Sequence, residues 1–496
     1  MLNLLRSPRS LAVAGCLLLI PGLSQGQNAF SPGGNDYSIA GALIGDQTSP
    51  QAVIKATGGY VVWQDNAADT NGMGIRAVRL DGNLNKSGSV FRVNSIAAGD
   101  QEKPQLAALA NGGVVFVWQG GKQGFQKIYA RFLPATGTNF LSTDILVNTY
   151  TNNFQVNPGV ATLTDGSVVI VWSSYGQDGS LQGIYGRRFT AAGVTNGGEF
   201  QISQFLSNNQ RTPAVAALAG GGFVVTWVSE LQRNSSSVDI YARLFNGTGA
   251  ALGNEFPVNS DATRVCANPS VVGSPDGGFA VAWSRRDVAS GNTSSGQFVV
   301  TDAAGFSANS WDVYARVFNS AGTATSAAVR LNTVTYGDQY APKISSFGNN
   351  YLATWLSLGQ DNSMEGVYGQ FLTSSADLAG VEFRVNSDNG SRQIDPTVAS
   401  DGVNRFLVAW SSYGSSASFD LFAREYDLIR VSIAQIAQGV RISWNTCPGC
   451  KYQVQSSADY LSWTNYGSTR TAASLSDFID VSSSTSTTAF RVVRIQ

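Results

Sequence analysis

The chain contains no histidine. This removes the usual general base near neutral pH, every His-dependent nucleophilic triad and every His-ligated metal site, so most hydrolase mechanisms lose their central residue. Charge is also sparse. Asp, Glu, Lys and Arg make up 13% of the 496 residues and the formal net charge is -1, which offers no basic surface to nucleic acid. Beyond the N-terminal segment no stretch approaches the ~20 apolar residues of a membrane helix, so no membrane span is expected. Cysteine is rare, with four in all.

Residues 1–26 read as an export signal. Arg6 and Arg9 precede an apolar run from Leu11 to Leu23, and Ser24-Gln25-Gly26 offers a cleavage site. The protein is therefore expected to be secreted, either extracellular or on the cell surface. Val13-Ala14-Gly15-Cys16 also resembles a lipoprotein box, but the stretch ahead of Cys16 is shorter than an ordinary signal core, so lipidation is the lesser expectation. Cys447 and Cys450 flank the turn dipeptide Pro448-Gly449, and in an oxidising compartment they are expected to form a disulfide. Zinc would need further ligands, of which only Cys266 remains, and a redox motif would need a βαβ context that is missing.

What the sequence has in abundance is repetition. Seven tryptophans, Trp63, Trp118, Trp172, Trp227, Trp283, Trp355 and Trp410, follow one another at intervals of 55, 54, 55, 56, 72 and 55 residues. Seven prolines keep the same step about fourteen residues earlier, at Pro50, Pro104, Pro158, Pro213, Pro269, Pro342 and Pro396. One unit, from Pro213, carries four strand candidates: Ala214 to Leu218, opened by a residue that cannot donate to a ladder; Phe223 to Trp227, apolar on both faces; Ile240 to Phe245, alternating; and a short outer Phe256 to Asn259. Such a unit cannot cover its own faces and needs neighbours on each side, as the blades of a propeller do.

Between Gly45 and Leu428 six copies are complete, and the seventh stops after its third strand, Leu421 to Tyr426. At the other end Tyr37-Ser38-Ile39-Ala40 precedes Gln47 by the interval that separates Phe91 from Gln101 and Phe200 from Gln210, so it is an orphan fourth strand. The two defects cancel if the chain ends meet. The expectation is an all-β protein: a seven-bladed β-propeller over residues 27–428, with strand 37–40 completing the last blade. Residues 429–496, where Ser and Thr rise and the repeat ends, are expected to form a small β-sandwich of the Ig or fibronectin-like type.

Asp276-Gly277-Gly278-Phe279 with Trp283, Ile184 to Phe189, and Glu382 to Asn386 resemble the tandem propeller repeat of secreted bacterial surface and adhesin-type proteins. The resemblance covers about residues 37 to 428 and implies fold and export, not ligand.

Function is expected on the face shared by the second-to-third-strand loops and the inter-blade loops. The fifth of the former, Ser284 to Asp312, is longer by about one hairpin and contains Gln297-Phe298-Val299-Val300. It is a candidate flap, with Arg285, Arg286, Asp287 and Trp311 as candidate binding residues for a glycan or protein; a surface insertion without a role is the plainer reading. Gln47, Gln101, Gln155, Gln210, Gln339 and Gln393 recur on the inter-blade loops with Cys266 in the seventh place, and are expected to satisfy nearby backbone groups. No cofactor is expected. Calcium was the one ion to weigh, since Asp65, Asp69, Asp178 and Asp361 lie in the loops, but no D-x-D-x-D-G run accompanies them. The leading expectation is thus a non-catalytic binding protein. Its alternatives are a glycan-active enzyme using carboxylates in the channel, and a structural scaffold.

Overall fold

The computed structural model describes residues 30–495 except 33–34, 70, 136–138, 287–309, 362–363, 389, 403–404, 415–417, 430, 447–448, 459–461, 475 and 483–488. The expected export signal, Cys447 and residues 287–309 of the candidate flap, Asp287 among them, lie outside the described residues. Among those described there is no helix, and none long and apolar enough to cross a membrane.

Residues 37–428 fold as a β-propeller. Its inner strands are Gln47–Lys55, Asp100–Ala108, Gln155–Thr162, Gln210–Ala217, Val265–Gly273, Gln339–Phe347 and Gln393–Ser400, and each begins a run of strands that pair antiparallel in chain order; one parallel pair, Val238 opposite Val265, joins the fourth run to the fifth. The second strands, such as Phe223–Glu230, are buried along nearly their whole length, which is why their sequences are continuous apolar runs instead of alternating ones. Each second strand carries its repeat Trp, and all seven are at most 1% exposed.

The last sheet takes its fourth strand from the other end of the chain: Tyr37 lies opposite Ala423, Ser38 opposite Phe422, and the Ile39 amide donates to the Leu421 carbonyl at 3.1 Å. Packing closes the ring as well. Apolar clusters join each blade to the next, and one of them joins Leu407, Ala409 and Leu421 of the last blade to Val61, Trp63 and Val78 of the first. Seven blades share seven such interfaces, where an open row would have six. Polar groups follow the same path: Arg405 of the last blade donates to the carbonyls of Ala56 and Gly82 in the first. A strand with no counterpart in the repeat, Phe30–Pro32, extends this blade by pairing with Tyr426 to Leu428.

After the ring come two small sheets around one core that includes Ile442, Trp444, Tyr452, Val454 and Val492. Val431–Ile436, Gly439–Asn445 and Ser476–Ser482 make one; Lys451–Ser457 is the centre of the other, flanked by Ala489–Ile495. Cys450 is disulfide-bonded. The module meets the propeller through Arg494, whose guanidinium donates to Glu425 at 2.8 Å and Asp427 at 2.5 Å, all three buried or nearly so. Burial raises the Glu425 carboxyl to about 7 in spite of that arginine, and it pushes Asp427 up as well.

Candidate functional site

The proline of each repeat does not open its strand, as its lack of an N–H suggested; it lies three or four residues inside. In every inner strand the pairing register slips at this point, from Arg211 to Ala214 in the fourth blade and likewise in the other six. The slip is a β-bulge, and the missing donor falls where the ladder is already interrupted. The residue before the proline takes up the bend. Ser49, Lys103, Asn157, Thr212, Asn268, Ala341 and Asp395 all have φ between 50° and 55°. None is glycine, although this left-handed region costs other residues about 1–3 kcal/mol each.

In five of the seven the bend turns the backbone N–H away from its own blade toward the preceding one. Thr212 N donates to Ser173 Oγ at 3.1 Å, Ala341 N to Ser284 Oγ at 3.0 Å, Asn157 N to Gln119 Oε1 at 2.9 Å and Lys103 N to Gln64 Oε1 at 3.0 Å. The acceptor in each case directly follows the blade Trp. Where the ring closes the pattern changes: Asp395 Oδ2 accepts both the Ser49 amide at 3.0 Å and the Ser49 hydroxyl at 3.3 Å. The seven residues before the prolines thus form a fixed ring around the axis and line a cavity of about 320 Å³, together with Gln51, Gln105 and Lys343.

Two cations and one anion stand in this well. Lys103 Nζ donates to Asn157 Oδ1 at 2.6 Å. The Lys343 ammonium has no hydrogen-bond or ion-pair partner among the described residues, and burial holds its pKa below that of an ordinary lysine, with Asp395 opposing the shift. Burial lowers Lys103 too. Asp395 is the single carboxylate among the described lining residues, so the well does not hold the pair that an enzyme with channel carboxylates was expected to show.

The residues singled out from the sequence lie elsewhere. Arg285 stacks on the Tyr314 ring at 3.6 Å and donates to its hydroxyl, so it is engaged within its own blade. Arg286 is exposed and faces Trp311 across the second and third strands, and the Trp311 amide donates to Asp338 Oδ1 at 3.1 Å. None of these lines the axial well. Five of the six recurrent glutamines bind backbone, as when Gln47 donates to the carbonyls of Ile44 and Gly45, Gln101 to those of Ala98 and Gly99, and Gln339 to that of Tyr336; Gln393 instead accepts from the Asn386 side chain. Cys266 is buried, which raises its thiol to about 12. Three of the four loop aspartates accept local bonds, Asp65 from Trp63 and Ala67, Asp69 from Asn71 and Arg92, and Asp178 from Ser180, and the fourth, Asp361, is buried. Among the described residues no three Cys, Asp or Glu side chains come together as metal ligands would.

No family model matches the sequence, and no curated protein matches it. Solved structures do. A protein of unknown function from Dyadobacter fermentans is 11% identical, with a TM-score of 0.48 over 68% of this chain and 97% of its own. The polysaccharide lyase Uly1 is 6% identical, with a TM-score of 0.48 over 78% and 91%. An α-L-arabinanase from Penicillium chrysogenum, solved with arabinobiose, is 16% identical, with a TM-score of 0.43 over 66% and 92%. At such identities the likeness speaks of shape and hands over no substrate or site residue. The named proteins among these neighbours are enzymes that act on glycans, against the expectation of a non-catalytic binding protein.

Proposed function

We propose that the protein is an exported, glycan-active enzyme whose substrate enters the axial well. The observation that carries this reading is the ring before the prolines. The repeat holds its backbone, its Trp and its Pro constant, yet at this one position it places Ser, Lys, Asn, Thr, Asn, Ala and Asp in a conformation that glycine would adopt at lower cost. A bulge needed only for shape would be better served by glycine. Six of these seven side chains donate or accept hydrogen bonds, and a polyhydroxylated ligand is the kind that can use such a mixed set on a rigid frame. Asp395 is the candidate general base: Ser49 occupies its Oδ2, while Oδ1 has no partner among the described residues. The disulfide-bonded Cys450 supports an oxidising compartment and hence export.

The test is to incubate the protein with a panel of polysaccharides and follow new reducing ends. Asp395→Asn is expected to lower the rate by about a hundredfold or more, the usual size of a lost general base. An Asp395→Asn variant as active as the parent, or no glycan cleaved across the panel, would remove the reading.

A further inference from the structure

Building on that reading, we propose that the glycan carries an anionic group, a carboxylate or a sulfate ester, which is bound by the ammonium groups of Lys103 and Lys343. Charge is distributed unevenly around the axis. Lys343 comes from the sixth blade, Asp395 from the seventh, Ser49 from the first and Lys103 from the second, so the charged groups occupy neighbouring blades; the third, fourth and fifth supply only Asn157, Thr212 and Asn268. The well therefore has a cationic half and a neutral half. Asp395 does not cancel the cations, since its Oδ2 is taken up by Ser49 and it is one carboxylate against two ammonium groups.

Lys343 is the sharper of the two. Half-buried on the wall of the well and with no protein partner among the described residues, its ammonium loses part of its hydration without gaining a bond to a counter-ion, which favours the neutral form. A sugar hydroxyl can accept one of its hydrogen bonds but leaves the charge uncompensated. A carboxylate or sulfate supplies both, as a charge-assisted bond. Lys103, tethered to Asn157, holds the second positive charge in place on the far side of Asp395 and Ser49. The uncharged Asn157 and Asn268 remain to take hydroxyl groups.

Calorimetric titration of the whole protein with polygalacturonate, dextran sulfate and unsubstituted dextran tests this. Binding of polygalacturonate alone identifies a carboxylate, of dextran sulfate alone a sulfate ester, and of both a general anion. In each case Lys343→Gln and Lys103→Gln are expected to weaken binding by about tenfold apiece, the worth of one charge-assisted hydrogen bond. Lys122→Gln, a change at an exposed lysine outside the well, should leave binding unchanged and thereby separates site binding from general polyanion attraction. Lys343→Gln should melt close to the parent, because the half-buried ammonium it removes makes no bond to the protein among the described residues. Affinity should also fall as pH rises through the lowered pKa of Lys343, at lower pH than for a surface lysine. Equal binding of unsubstituted dextran, insensitive to both lysine changes, would overturn the anionic class and leave the glycan reading standing. No binding of any of the three overturns the proposal, as does a Lys122→Gln loss equal to that of Lys343→Gln.

Discussion

Thr212 isolates the strain in the axial ring. It is β-branched, its φ is 50°, and its Oγ1 is buried without a hydrogen-bond partner. Thr212→Gly would release a left-handed conformation worth about 1–3 kcal/mol. It would also remove an unsatisfied hydroxyl whose burial costs on the order of 1–3 kcal/mol. Against this stand the extra freedom of glycine in the unfolded chain, about 0.5–1 kcal/mol, and the contacts of a half-buried side chain. The bond from the Thr212 amide to Ser173 is untouched. The expected balance is a gain of about 1 kcal/mol, read from urea unfolding followed by tryptophan fluorescence. Thr212→Ala separates the contributions, since it deletes the hydroxyl but keeps the Cβ in the same backbone region, and it should gain less than glycine. If Thr212→Gly instead lost about 1 kcal/mol or more, the ring would not be strained, and the inference that its side chains are kept for a ligand would fail.

Two further outcomes follow from the same geometry. Trp118 Nε1 donates to Gln101 Oε1 at 3.0 Å, whereas Trp172 Nε1 has no partner, so Trp118→Phe should cost about 1–2 kcal/mol more than Trp172→Phe in paired urea titrations, and equal costs would refute the bond's contribution. At the junction with the C-terminal module, Glu425 titrates near 7 when folded and in the ordinary carboxyl range when unfolded, so the folded state binds the extra proton between those values. Stability should therefore be greatest at low pH and fall as pH rises toward about 7. Glu425→Gln should flatten the profile of thermal midpoint against pH, and an unchanged slope would place the titration elsewhere.

The frame of the molecule was legible because it is periodic. Trp at a fixed step marks a strand covered on both faces, and the missing last strand was found by applying the Tyr37-to-Gln47 interval. The bulge was not legible. Read locally, Pro213 looks like a strand opening; its true place depends on the Thr212 amide finding Ser173 in the preceding blade, an acceptor 39 positions away. Yet one signal was present: polar residues recur before the prolines, at Ser49, Lys103, Asn157, Thr212, Asn268 and Asp395. Arg285 misled for a related reason. Its stacking partner, Tyr314, is fixed by cross-strand pairing beyond a long insertion, so nothing near Arg285 in the chain announces that it is occupied. Phe30–Pro32 had no repeat counterpart by which to be found.

Joining Ser38 to Phe422 ties together positions almost 400 residues apart. Because loop entropy grows only with the logarithm of length, this junction costs about 2 kcal/mol more than pairing within one blade. The burden falls on timing. During synthesis, the segment that completes the circle emerges well before its mate, leaving an uncovered edge open to pairing with other chains. A circular permutant that begins between two blades and links the present ends would make every blade from contiguous sequence, and should assemble faster at little change in final stability.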